Sequence, residues 1–156
     1  FLSEEFILMD LKAKDKRDAI RQMSDFLIRT HGVEHVTSDE LYETVVEREK
    51  LFSTGIGSNV AIPHGHLDEG PEIQGVLAIC PDGIDFDAPD GKPAKLLLLI
   101  ATPLDHKKMH LKVLASLSAM VRDEHIRKRL ISALNPEDAM EVIESEEARD
   151  YNYFLE

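Results

Sequence analysis

The segment Pro63-His64-Gly65 places an imidazole where it could react. The preceding residues, Val60-Ala61-Ile62, read as a short strand that Pro63 closes, and Gly65 admits a close approach of backbone. A neutral imidazole nitrogen is a nucleophile at pH 7 when the other ring nitrogen donates its proton to a fixed acceptor. His64 is therefore the first candidate for covalent chemistry.

Three further features of the sequence could help to bind an anion next to His64. The loop at 52–59 contains two glycines and three hydroxyl side chains, which supply backbone N–H and O–H donors. His110 begins an amphipathic helix and could be a long-range partner of His64, and Arg48 could add a fixed positive charge. On the residues alone this convergence is a hypothesis, since Arg48 could equally be a surface charge and His110 a packed side chain.

A metal site is a remote alternative at the same place. His64, His66 and Asp68 have the spacing His-x-His-x-Asp, which supplies divalent-metal ligands in metallohydrolases. The adjoining histidine common in such motifs is missing, and the chain is short for those enzymes. For His31, His35, His106 and His125 we expect surface or structural positions.

Other reactive groups are disfavoured by their context. Cys80 ends an apolar run and is predicted to be a buried small side chain. The Gly55-Ile56-Gly57 segment lacks the third glycine of a dinucleotide-binding loop, because Val60 stands there, and no Gly-Lys-Ser/Thr occurs. Nucleotide binding is therefore not expected, and neither a metal nor another cofactor is required by the chemistry of His64.

The composition of the chain limits which partners and which cellular compartment are expected. The chain has 156 residues and 43% hydrophobic residues, which suits one domain, and its net charge of −12 disfavours nucleic acid as a partner. One cysteine excludes a disulfide framework and fits a reducing compartment, so a cytoplasmic location is predicted. The longest apolar run, 96–101, is too short to cross a bilayer. Phe1 in place of an initiator Met suggests a fragment of a longer protein.

Strands and helices alternate along the chain and predict an α/β fold, with a mixed central β-sheet sandwiched by α-helices. Strands are expected at 6–9, 60–62, 73–80 and 95–102, the last of them central because it lacks polar alternation. Turns are expected at 81–83 and 88–91. Helices are expected from Asp15 to Gly32, behind a Thr37/Glu40 capping box, and over 104–121 with Leu111, Leu114, Leu117 and Val121 on its apolar face. Two more helices are expected. One is capped by Asp123 and has Leu134 on its apolar face, and the other begins at Asn135-Pro136.

The domain is predicted to span residues 1–145, followed by an acidic tail at 146–156. The aromatic side chains near its end, Tyr151, Tyr153 and Phe154, could dock on a partner or belong to a disordered segment.

Several of these segments together resemble one known family. Glu47-Arg48-Glu49, Ser53-Thr54-Gly55-Ile56-Gly57, Val60 to Gly65 and Gly83 to Pro93 are similar to the enzyme IIA domains of the bacterial phosphoenolpyruvate-dependent sugar phosphotransferase system (PTS). The similarity is to the fructose/mannitol type, which includes the nitrogen-regulatory enzyme IIA, and it continues through His110-Leu111. It covers nearly the whole chain in order, and therefore implies the fold of that family.

The resemblance also implies roles for single residues. His64 matches the histidine that accepts a phosphoryl group from the phosphocarrier protein and passes it to enzyme IIB. His110 matches a second active-site histidine and Arg48 an arginine that stabilises phosphoryl charge, while Ser53 and Thr54 would have a supporting role. His66 departs from the family, since many members carry Arg or Lys there.

Two functions are compatible with the resemblance. One is a phosphoryl relay in sugar transport, with the domain alone or attached to a membrane transporter. The other is a regulatory module that binds a target protein according to its phosphorylation state.

The net charge of −12 predicts that a donor presenting a basic face is attracted over a distance. The association rate constant with such a phosphocarrier protein should therefore fall as salt is raised from about 50 to 500 mM. Stopped-flow mixing at several ionic strengths measures it. A rate constant indifferent to salt would contradict electrostatic steering.

Overall fold

A mixed six-stranded sheet lies between two layers of helices in the computed structural model, which describes residues 2–68, 70 and 72–152. The strands run in the order β1-β5-β6-β3-β2, and β4 also pairs with β6. The strands are β1 Ile7–Leu8, β2 Gly55–Gly57, β3 Val60–Ala61, β4 His64–Leu67, β5 Gln74–Ile84 and β6 Ala94–Pro103. The helices are α1 Lys16–His31, α2 Ser38–Leu51, α3 Lys107–Arg122, α4 Glu124–Ile131, α5 Pro136–Ile143 and α6 Glu146–Asn152. The predicted fold class is confirmed.

Strand β6 is the centre of the sheet, as its apolar sequence predicts. It pairs antiparallel with β5 on one side and parallel with β3 and β4 on the other. Successive side chains point to opposite faces, and both faces are covered. Leu97, Leu99 and Ala101 pack with α1 and α2, whereas Leu96, Leu98 and Ile100 pack with α3, α4 and α5.

Side-chain caps begin four of the helices where the sequence predicts them. Asp15, Thr37, Asp123 and Asn135 each accept a hydrogen bond from a backbone N–H in the first turn. Helix α1 ends at Gly32, whose φ of 62° is a left-handed conformation that glycine adopts without strain. The starts of these four helices were therefore predictable from the sequence.

The structure corrects the sequence analysis at four places. The expected turn at 81–83 lies inside β5, where a shift of register between Ile79 and Ile84 absorbs the turn residues as a bulge. The expected loop at 52–59 contains β2, which forms a hairpin with β3. A further strand, β4, begins directly at His64. Leu111 and Leu134 are 67% and 85% exposed and do not belong to apolar helix faces.

Residues 146–152 form α6, which packs on the side of the sheet covered by α3. Ala148 is fully buried there, and the Tyr151 hydroxyl donates to Asp123. The domain boundary at residue 145 stays a prediction. The predictions that concern Phe1, Tyr153 and Phe154 fall on residues outside the described ones. Within the described ranges, no helix combines the length and the apolar character needed to span a membrane.

Gly65 lets α2 lie close against β4. A β-carbon at this position would stand 2.8 Å from Cγ2 of Thr44 and 3.3 Å from Cγ2 of Val45. Such contacts are shorter than packed atoms tolerate, so any larger residue must push α2 away from β4. The packing at Gly65 therefore sets the distance between α2 and the strand that carries His64.

Replacing Gly65 by alanine should accordingly destabilise the protein, by about 1–3 kcal/mol for an overpacked site. Thr44→Ser removes the nearest methyl group, so the cost of Gly65→Ala should be smaller in that background. Urea unfolding of both single variants and the double variant measures the coupling. Equal costs of Gly65→Ala in both backgrounds would contradict this packing argument.

Candidate active site

The candidate site lies where the parallel strand pairing along β6 passes from β3 to β4 and is interrupted. Strand β3 pairs with β6 at Leu96 and Leu97, and β4 resumes the pairing with His64 opposite Ile100. Pro63 lies between them and has no N–H to donate to the sheet. Its carbonyl accepts the N–H of Ile100, whereas the carbonyl of Ile62 accepts a hydrogen bond from Nδ1 of His64 at 2.8 Å.

The Ile62 carbonyl fixes the tautomer of His64. A carbonyl oxygen only accepts, so Nδ1 of a neutral His64 must carry the proton. The lone pair is then on Nε2. His64 is half-buried. The structure thus provides the fixed acceptor that the sequence analysis required for a nucleophilic imidazole.

Three imidazoles lie together on one face of the sheet. The ring centroid of His110 is 5.2 Å from that of His64 and 4.6 Å from that of His66. His64 and His66 are two residues apart on β4 and therefore point to the same side, towards α3. The long-range pairing of His64 with His110 is thus present in the fold, and His66 is part of the same cluster.

Arg48 lies at the end of α2, within electrostatic reach of the cluster. Its Nη1 donates to the carbonyl of Phe52 at 2.8 Å, which holds the side chain against the start of the following loop. Its positive charge contributes to lowering the pKa of both His64 and His110. Of the three residues proposed as catalytic from the sequence, His64 and His110 are therefore neighbours, and the charge of Arg48 acts on both.

Burial favours the uncharged forms of His64 and His110. Loss of solvent is the largest cause of the lowered pKa of His64, and the charges of Arg48 and His66 add to it against the opposing Ile62 hydrogen bond. For His110 burial, with the charges of His64, His66 and Arg48, lowers the pKa to about 4. Near pH 7 both rings are neutral, the form that a nucleophile and a neutral hydrogen-bond donor need.

The hydroxyl groups of Ser53 and Thr54 have partners within the protein. Ser53 donates to the carbonyl of Phe86, and Thr54 donates through both its hydroxyl and its backbone N–H to the buried carboxylate of Glu49. Glu49 also pairs with Lys16, at 3.0 Å. These bonds tie the loop after α2 to the body of the domain. The hydroxyl groups of Ser53 and Thr54, which were expected to bind an anion, therefore already donate to protein acceptors.

The metal alternative has no ligand set in the structure. Within residues 2–68, 70 and 72–152, no three His, Cys, Asp or Glu side chains come together as metal ligands would. His64, His66 and Asp68 therefore lack the geometry that their spacing suggested. Cys80 is buried, as predicted.

Two features of the site could not be read from the sequence. Thr102 is fully buried, and its Oγ1 lies 2.6 Å from Nδ1 of His110. His66 lies against His110, and its own Nδ1 is buried and has no hydrogen-bond partner among the residues that the structure describes. Thr102 ends an apolar strand eight residues before His110, and nothing in that spacing signals a contact.

Comparison with known proteins identifies one family over most of the chain. Residues 1–146 match the family model described as phosphoenolpyruvate-dependent sugar phosphotransferase system, EIIA 2. A nitrogen regulatory protein from Klebsiella oxytoca is 33% identical over 143 residues, which is 91% of this chain and 86% of that protein.

Solved structures of related proteins share the fold. The nitrogen regulatory protein IIA-Ntr from Neisseria meningitidis superposes with a TM-score of 0.82 at 29% identity, covering 89% of this chain and 93% of that one. The mannitol enzyme IIA from Escherichia coli, in its complex with phosphorylated enzyme IIB, gives 0.76 at 27% identity and 92% and 96% coverage.

The family model covers nearly all of the chain, and relatives of both the nitrogen-regulatory and the mannitol kind share its fold. The chain accordingly belongs to the type 2 EIIA family of the phosphoenolpyruvate-dependent sugar phosphotransferase system.

Proposed function

We propose that this domain relays a phosphoryl group through Nε2 of His64, accepting it from a phosphocarrier protein and passing it to the cysteine of an enzyme IIB. The observation that carries the proposal is the bond from His64 Nδ1 to the Ile62 carbonyl, which leaves Nε2 as the nucleophile beside His110. Family membership and the enzyme IIB complex of the mannitol relative support it.

The transfer balances without a metal ion or an external base. The Nε2 lone pair of His64 forms a bond to phosphorus while the phosphorus–nitrogen bond of the donor breaks, and the donor ring, protonated at its other nitrogen, departs as neutral imidazole. Phosphorylated His64 keeps its proton on Nδ1, and this N–H still donates to the Ile62 carbonyl. The hydrogen bond stabilises the positive charge that the phosphorylated ring carries. When a thiolate attacks the phosphorus, the electron pair returns to Nε2 and neutral His64 is restored.

Arg48 and His110 stabilise the charge on the transferring phosphoryl oxygens in this proposal. Both act from fixed positions, Arg48 held by the Phe52 carbonyl and His110 by Thr102. Preorganised donors of this kind are effective because they need no reorientation during the reaction. Ser53 and Thr54 support the site indirectly, by holding the loop that follows Arg48.

Exposed apolar side chains that neighbour Arg48 and His110 in sequence support docking of the two partners. Leu51 and Phe52 are 70% and 79% exposed directly after the Arg48 turn of α2, and Leu111 is 67% exposed beside His110. Large exposed apolar side chains grouped near reactive residues are typical of protein–protein contacts. Since donor and acceptor both reach His64, each would contact such side chains in turn.

A regulatory role is the second candidate, favoured by the nitrogen regulatory relatives. The same phosphorylation of His64 would then control binding to a target protein. For either role we propose a cytoplasmic location, because the one cysteine of the chain is a thiol that suits a reducing compartment.

Phosphorylation itself is the first test. After incubation with phosphoenolpyruvate, enzyme I and phosphocarrier protein, intact-mass spectrometry should show one acid-labile phosphoryl group, absent in His64→Ala. Arg48→Gln and His110→Ala should still be phosphorylated, but about 10²-fold more slowly, the usual loss for one charge-stabilising group.

His125→Ala serves as the matched control, since it removes an imidazole from the surface of α4, where His125 pairs with Glu147. Its phosphorylation should follow the wild type. A wild-type protein that gains no phosphoryl group from any competent donor, or a His64→Ala variant that still gains one, would refute the relay.

The low pKa of His110 predicts a pH dependence of stability. The unfolded chain binds a proton at His110 below its ordinary pKa of 6.5, but the folded protein does so only near 4, so the free energy of unfolding falls as pH decreases between these values. His110 should account for a loss of about 2 kcal/mol between pH 7 and 5.

Urea unfolding of wild type and His110→Gln at the two pH values measures this contribution. The glutamine variant should lose correspondingly less stability on acidification, and His125→Gln should behave as the wild type. An identical loss in wild type and His110→Gln would show that His110 titrates normally.

Transport and regulation are separated by the fate of the phosphoryl group. Protein phosphorylated at His64 should transfer it to an enzyme IIB within seconds to minutes, and not to the same enzyme IIB with its cysteine replaced by serine. If no enzyme IIB of the same cell accepts it, while a non-sugar target binds only one phosphorylation state, the regulatory role holds instead.

A further inference from the structure

Thr102 makes a hydrogen bond whose direction can be deduced. Its hydroxyl is fully buried at the end of β6, opposite His66 of β4. In the described part of the chain, Oγ1 has a single hydrogen-bond partner, Nδ1 of His110 at 2.6 Å. His110 itself is 4% exposed, so water does not replace this contact.

Two arrangements of the protons are possible for this pair. If His110 Nδ1 carried the proton and donated to Thr102, the hydroxyl hydrogen of Thr102 would be buried without an acceptor, which is unfavourable. If Thr102 donates to Nδ1, the buried hydroxyl hydrogen has an acceptor, and the imidazole proton must be on Nε2. The second arrangement is therefore the stable one for neutral His110.

The two neighbouring histidines thus have opposite tautomers. His64 carries its proton on Nδ1, because that nitrogen faces the Ile62 carbonyl, and His110 carries its proton on Nε2, because its Nδ1 faces the hydroxyl of Thr102. One ring is then a nucleophile and the other a hydrogen-bond donor. Had both rings the same tautomer, the site would contain two nucleophiles or two donors.

We propose that Thr102 is a positioning residue, which holds His110 as the Nε2–H tautomer so that this N–H donates to the phosphoryl oxygens during transfer to and from His64. The inference rests on the proposed phosphoryl relay and adds a residue to it. No proton leaves His110 in either direction, so the transfer stays balanced as described for His64 alone. Thr102 acts only through His110 and contacts neither the phosphoryl group nor a partner.

The tautomer is tested in the free protein, with no phosphoryl donor present. Two-bond ¹⁵N–¹H correlation spectra of ¹⁵N-histidine-labelled wild type near pH 7 should show His110 protonated at Nε2 and His64 protonated at Nδ1. Thr102→Val keeps the shape of the side chain but removes the hydroxyl, so the His110 Nδ1 signal should move to that of a nitrogen without a hydrogen bond. Thr102→Ser should restore the wild-type spectrum.

Transfer kinetics test whether the tautomer matters. Single-turnover phosphorylation of Thr102→Val should be at least about tenfold slower than wild type, and Thr102→Ser should recover most of the rate. Glutamine at position 110 has an amide of fixed polarity and no tautomers. In the His110→Gln background, therefore, adding Thr102→Val should change the rate less than about twofold.

Thr30→Val is the matched control for loss of a threonine hydroxyl. Thr30 donates to the carbonyl of Phe26 within α1, on the opposite face of the sheet, and its removal should leave both spectrum and rate unchanged. Thermal unfolding of every variant identifies any that fails to fold, in which case Thr102→Ser and the wild-type spectrum carry the test.

Each outcome decides the proposal. A wild-type spectrum with His110 protonated at Nδ1, wild-type rates in Thr102→Val, or an equal slowing by Thr102→Val with glutamine at position 110 would each overturn the role of Thr102. Absence of phosphorylation in the wild type would refute the relay instead, and the spectrum of the free protein would still decide the tautomer.

Discussion

The site depends on one interruption in the pairing along β6. Proline at position 63 has no N–H, so the chain cannot continue as one strand from β3 into β4 and is paired through Pro63 only by its carbonyl. The preceding carbonyl, of Ile62, is then free to accept from the ring of His64 two residues later. The break in sheet pairing at Pro63 thereby provides the acceptor that orients the ring of His64. The register of β4 on β6 then places His66 opposite Thr102.

Electrostatics in the site follow from crowding and burial. The ring centroid of His110 lies 5.2 Å from that of His64 and 4.6 Å from that of His66. Burial and the neighbouring charges disfavour the protonated forms of His64 and His110. The site therefore keeps His64 and His110 neutral near pH 7, and Arg48 contributes a fixed positive charge. The nearby buried Glu49 is compensated separately, by Lys16 and the hydrogen bonds of Thr54. In the proposed relay, the charge of Arg48 is thus available to the phosphoryl group.

Local signals in the sequence predicted the helix caps and the central strand β6. They also singled out His64, His110 and Arg48 as candidates, whose roles the family resemblance implied and which stay predictions. They failed where long-range contacts overrule local preference. Pro81-Asp82-Gly83 is a strong turn signal, yet the long antiparallel pairing of β5 with β6 continues past it as a bulge. The hydroxyls of Ser53 and Thr54 suggested an anion site because their acceptors, Phe86 and Glu49, cannot be identified without the fold. Thr102 shows the same limit, since its importance lies entirely in a contact.

His64 lies on a regular strand that pairs with the centre of the sheet, and not on a long loop. A nucleophile on a rigid element is ready in both directions, with no closing motion to slow either transfer. In the proposed relay, the fraction of phosphorylated domains at steady state would then follow the ratio of phosphorylated to unphosphorylated partners. A protein that binds only one of the two forms could read that ratio. The same rigid strand would in this way let a transport component report the supply of phosphoenolpyruvate to the rest of the cell.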